Sequence, residues 1–136
     1  MAFVLDSSVA VAWLLPDEHS DGVDALADRL GVESAIAPAI WPLEVGNALL
    51  TARRAQRVPD RQFDKLVEVL GRLPVEIEPA TRVEDVAVVI QLAARFKLSV
   101  HDATYIELAR RRGAPLATLD AGLAKACHSA GVATLP

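Results

Sequence analysis

Five short apolar runs, at positions 3–5, 34–37, 75–77, 116–118 and 132–135, alternate along this chain with longer stretches whose apolar residues recur at helical spacing. Pro, Gly, Asp or Glu bounds each run. Runs this brief and this apolar suit parallel strands buried on both faces; a half-exposed antiparallel strand alternates apolar with polar residues instead. The longer stretches predict helices at 8–15, 20–30, 40–57, 60–73, 82–96, 100–112 and 121–130. Pro16, Pro59 and Pro74 stop three of them, and Gly31, Gly113 and Gly131 stand in the post-helix position that favours a left-handed cap. Helices between successive strands imply right-handed crossovers, hence an α/β fold with a central parallel sheet of about five short strands and about seven helices. No linker, repeat or low-complexity stretch interrupts the alternation, so residues 1–136 are expected to form a single domain.

Composition narrows the function classes. Hydrophobic residues make up 52% of the chain, yet no uninterrupted apolar stretch approaches the ~20 residues that a spanning helix requires. The start, Met1-Ala2-Phe3-Val4-Leu5-Asp6, has no basic region and meets an acid too early for a signal peptide, which predicts a cytoplasmic protein with no membrane contact. The single cysteine, Cys127, has no internal partner and stands among alanines as a small buried helix residue. A net charge of −4 gives the whole molecule no attraction for polyanions, so any hold on nucleic acid must come from local cations or bound metal.

Four acids stand where such a fold gathers chemistry. Asp6 directly follows the first apolar run, and Asp120 ends Leu116-Ala117-Thr118-Leu119-Asp120, so both belong at the C-terminal edge of the sheet, where open α/β folds bind ligands. Glu44 shares a polar stripe with Asn47, Thr51 and Arg54 on an otherwise apolar helix. Asp102 lies in the first turn of the sixth helix. Each has a plainer role open to it: Asp6 and Asp120 as N-caps, Asp102 in a capping box with Ser99, Glu44 on a solvated face. Arginines close two of these helices, at 53, 54 and 57 and at 110–112, either as complements to the helix dipole or as phosphate contacts. Arg54, on the Glu44 stripe, is the best candidate for contacting phosphate, with an internal ion pair as the alternative.

Phe3-Val4-Leu5-Asp6-Ser7-Ser8, Leu43-Glu44-Val45-Gly46-Asn47-Ala48-Leu49, His101-Asp102-Ala103-Thr104-Tyr105-Ile106-Glu107-Leu108-Ala109 and Ala117-Thr118-Leu119-Asp120 resemble the four motifs of PIN-domain nucleases, in order and at compatible separations. Within that family the chain is similar to a VapC-type toxin of a type II toxin–antitoxin pair. The resemblance implies a PIN-like three-layer α/β/α fold. It implies that Asp6, Glu44, Asp102 and Asp120 form the acidic catalytic and metal site, with Ser7 and Thr118 at hydroxyl positions near the metal and Asn47 as a polar companion. It further implies an RNA substrate, a small cognate antitoxin lying across the cleft, and a homodimer. His101 stands where the family more often carries an aromatic residue.

The chemistry follows from the residues as well. Four carboxylates packed together repel, so without a cation at least one holds a proton. An all-oxygen set with no Cys/His cluster favours Mg²⁺ or Mn²⁺ over Zn²⁺. Asp6, Asp102 and Asp120 are assigned to ligation, direct or through water, and Glu44 to orienting the water or to a second ion. His101 is a rim residue or a proton carrier. Trp13, Leu14, Leu15, Trp41, Leu49 and Leu50 are core residues or part of a partner face. A receiver domain wants an acidic pair where Asp6 has Ser7 and Ser8 behind it, and a haloacid-dehalogenase-type phosphatase wants an Asp where Ser8 stands. The alternative that keeps the fold is a catalytically silent nucleic-acid or protein-binding module.

Overall fold

A computed structural model describes all residues, Met1–Pro136. The elements follow in the order β1 (Ala2–Leu5), α1 (Ser7–Leu14), α2 (Asp21–Arg29), β2 (Ser34–Ala37), α3 (Trp41–Arg54), α4 (Asp60–Arg72), β3 (Val75–Ile77), α5 (Val86–Phe96), α6 (Val100–Arg112), β4 (Leu116–Ala117), α7 (Ala121–Ser129) and β5 (Thr134–Leu135). Short 3-10 turns at Pro16–Glu18 and Val83–Asp85 precede α2 and α5. The five strands form one sheet in the order β3-β2-β1-β4-β5, and every neighbouring pair is parallel. This is the α/β fold with five parallel strands and seven α-helices that the alternation predicts.

The topology decides where the site lies. The chain builds outward from β1 through β2 to β3, then returns to lay β4 on the other side of β1. Strand order therefore reverses between β1 and β4, and a reversal opens a crevice beyond the C-terminal strand ends. Asp6 leaves β1 there, and Thr118 to Asp120 leave β4 there.

Central strands carry the core. Phe3, Val4, Leu5, Ile36 and Leu116 are wholly buried, and burial of each large apolar side chain contributes roughly 1.5–3 kcal/mol. Helices cover both faces, with Leu49 of α3, Ile106 of α6 and Leu123 of α7 closing on the sheet, while Val89, Ala93 and Ala103 seal α5 against α6 in a smaller cluster. Leu14, Leu15, Trp41 and Leu49 are core residues, so most of the apolar side chains that left a partner face open in the sequence are consumed internally. The exposed large apolar residues are others, including Leu43, Val83, Val88, Ile90 and Leu119.

Element ends differ from the sequence reading for local reasons. The third helix stops at Arg54 rather than at 57, because Gln56 turns to positive φ and Arg57 is drawn across to Asp17 and Glu18 at 2.9 and 2.7 Å. The fifth starts at Val86, after a 3-10 turn. Gly113 and Gly131 take the left-handed conformation expected of them, whereas Gly31 does not, and Lys97 provides the left-handed cap of α5.

Candidate active site

Asp6 occupies the N-cap position of α1, yet its carboxylate accepts no backbone N–H of that helix. The capping role open to it in the sequence is not taken. Its own N–H donates to the Ala117 carbonyl at 2.9 Å, extending the β1–β4 ladder. Its Oδ2 accepts the Ser8 hydroxyl at 2.6 Å and the Thr118 hydroxyl at 2.7 Å. Both hydroxyls also accept backbone N–H groups, Ser8 from Leu119 and Thr118 from Asp120, each at 3.0 Å. A hydroxyl has one proton to donate, so accepting an N–H leaves that proton for Asp6 and fixes its direction. Asp6 is only 5% exposed, and its Oδ1 has no closer partner than the Ser7 hydroxyl at 3.5 Å. One oxygen is held from behind; the other is nearly free.

The other acids arrive on separate elements. Asp120 caps α7, accepting the Leu123 N–H at 3.0 Å through Oδ1, so here the capping role is real and Oδ2 is uncommitted. Asp102 sits in the first turn of α6, where the Ser99 hydroxyl accepts its N–H at 3.0 Å, one half of a capping box. Glu44, in the first turn of α3, is half-buried, and its Oε1 accepts the phenol proton of Tyr105.

Electrostatics ties the four together. Burial pushes the Glu44 carboxyl above its ordinary range; the Tyr105 hydrogen bond works against this, while the charges of Asp6 and Asp102 add to it. Burial also raises Asp102, with the charges of Asp120 and Asp6 adding to the effect. His101, exposed at the rim, is the one basic side chain whose field reaches either group. The crevice thus holds a concentration of negative charge that the chain leaves without a lysine or arginine. Hard oxygen donors with free lone pairs and raised proton affinity fit a divalent cation such as Mg²⁺ or Mn²⁺. As they stand, no three ligating side chains converge on one point.

Not every residue singled out in the sequence joins the cluster. Ser7 and Thr118 do, through Asp6. Asn47 is exposed one turn along α3 and makes no side-chain hydrogen bond, and Arg54 lies at the far end of the same helix, about 15 Å along its axis from Glu44. Arg54 forms no ion pair, which removes the alternative reading of it. Most neighbouring arginines are engaged: Arg53 with Asp60, Arg57 with Asp17 and Glu18, Arg111 with Glu107 and Glu78, Arg112 with Glu76. Sequence reasoning missed Ser8 and Tyr105. Ser8 had a signal, a second hydroxyl two residues after the acid; Tyr105 reads from its pattern as core, which it also is.

With this geometry in view, the family model for the PIN domain matches residues 3–129. The chain belongs to the PIN-domain family. Solved structures share its fold. PAE2754 from Pyrobaculum aerophilum superposes with a TM-score of 0.70 at 20% identity, covering 98% of this chain and 83% of that one. FitAcB from Neisseria gonorrhoeae gives 0.68 at 21% identity, covering 100% and 97%, and VapBC2 from Rickettsia felis, bound to a DNA fragment from its promoter, gives 0.67 at 12%, covering 98% and 97%. Comparison with curated protein sequences gave no match. No helix of this PIN domain is long and apolar enough to cross a membrane.

Proposed function

We propose that residues 1–136 form a single-domain, divalent-metal-dependent endoribonuclease, the toxin of a toxin–antitoxin pair. The observation that carries the reading is Asp6 at the strand reversal, held through one oxygen by Ser8 and Thr118 with the other nearly free, and close enough for its charge to act on Glu44 and Asp102. PIN membership supports a nuclease. Similarity to FitAcB and VapBC2 supports a cognate antitoxin as partner; a homodimer acting in the cytoplasm completes the proposal.

In this reading Asp6, Asp102 and Asp120 hold Mg²⁺ or Mn²⁺, directly or through water. A bound ion would supply the positive charge that the crevice lacks, and with it the means to offset the phosphodiester charge and acidify a water. Glu44, whose Oε1 is held by Tyr105 while Oε2 is uncommitted, would orient that water or bind a second ion. Ser8 and Thr118 keep Asp6 pointing one way through turnover, and Ser7 stands at its other oxygen. Asn47 and the unpaired Arg54 extend a polar track away from the acids and contact the substrate backbone beyond the cut.

The test is cleavage of RNA and of single-stranded DNA by the purified chain, with Mg²⁺ or Mn²⁺ and with a chelator. RNA cleavage that appears only with the ion, and stops with excess antitoxin, is the expected result. Cleavage in chelator overturns the metal assignment, equal cleavage of DNA overturns the substrate, and cleavage undiminished by the antitoxin overturns the partner.

A further inference from the structure

Tyr105 is wholly buried in the main core, yet a phenylalanine would fill the same volume without a polar atom to satisfy. Burying a hydroxyl is unfavourable unless it finds a partner, and this one finds Glu44, 61 positions away on α3. One hydroxyl therefore links the start of α3 to α6. The arrangement repeats the logic at Asp6, whose Oδ2 is held by Ser8 and Thr118 while Oδ1 stays nearly free: Glu44 Oε1 is held from the core side and Oε2 is left uncommitted.

We infer that Tyr105 is a positioning residue for Glu44, setting which carboxylate oxygen is presented to the ion or its water, and that it acts on the site through Glu44 alone. The inference rests on the metal-dependent reading above. Groups that orient a ligand from behind are worth about 10–100-fold in metal affinity, and a single neutral hydroxyl belongs at the low end.

The experiment is a double-mutant cycle on the full, metal-stripped chain, with Tyr105→Phe, Glu44→Ala and the pair. Mn²⁺ binding is read by calorimetry and folding by thermal midpoint. Glu44→Ala is expected to weaken Mn²⁺ binding, and Tyr105→Phe to weaken it roughly tenfold in a protein that still unfolds cooperatively. In the Glu44→Ala background, Tyr105→Phe is expected to add nothing. Wild-type Mn²⁺ affinity in Tyr105→Phe, or an equal loss in both backgrounds, overturns the inference while leaving the metal site standing. Failure of Tyr105→Phe to fold assigns the hydroxyl to the core and overturns it too. If Glu44→Ala binds Mn²⁺ like the wild type, Glu44 is no part of the metal site, and that assignment falls together with the inference.

Discussion

A carboxylate at the head of a helix serves the backbone, the site, or both, and the acids of this PIN domain divide along that line. Asp120 does both: it caps α7 through one oxygen. Asp120→Ala is therefore expected to cost about 1 kcal/mol of unfolding free energy, the usual loss of an N-cap, measurable by urea denaturation alongside the loss of activity. Thr118 is buried and serves two neighbours, donating to Asp6 and accepting from the Asp120 N–H. Thr118→Val strands both partners and should cost about 1–3 kcal/mol in the same assay; a cost near zero would mean that the network does not hold Asp6. The sequence left capping and ligation equally open for Asp6 and Asp120, since both positions look alike as strings. Only the partners on other elements, Ser8 with Leu119 and Thr118 with Asp120, separate them.

Elements were legible where local rules decide them and less so where tertiary partners do. The ranges 34–37, 75–77 and 100–112 are read correctly from turn residues and periodicity alone. The end of α3 was not, because it depends on the bridge from Arg57 to Asp17 and Glu18, 40 and 39 positions earlier in the chain. The cap of α5 was not, because Lys97 adopts a left-handed backbone that sequence rules reserve for glycine or asparagine. That strain predicts that Lys97→Gly stabilises the fold by up to about 1 kcal/mol, seen as a raised urea midpoint at unchanged slope; a lowered midpoint would mean that the Lys97 side chain contributes more than its backbone costs. The parallel sheet itself was predictable, and with it the edge at which Asp6 and Asp120 emerge. What the string does not carry is that the strand order reverses between β1 and β4, which makes that edge a crevice.

For the molecule as a whole, the acid cluster sets how stability responds to pH and to ions. Glu44 and Asp102 hold their protons to higher pH folded than unfolded, so across that interval the folded chain binds more protons and these two groups lower stability as pH rises. In chelator, Glu44→Gln should accordingly gain stability relative to the wild type as pH rises above the ordinary glutamate pKa of about 4.3, followed by thermal unfolding; a difference that stays flat would mean that the fold does not raise the proton affinity of Glu44. A divalent ion should reverse the penalty in the wild type, since it binds the folded chain preferentially. The central claim is that the crevice is one metal-dependent nuclease site built around Asp6. It is tested most directly by comparing the wild type with Asp6→Asn for RNA cleavage in Mn²⁺ and in chelator, with the unfolding free energy of both measured. The account predicts cleavage by the wild type in Mn²⁺ alone, and background activity in a variant whose stability lies within about 1 kcal/mol, because asparagine still offers an oxygen to Ser8 and Thr118. Cleavage in chelator, or an active Asp6→Asn protein, would contradict it.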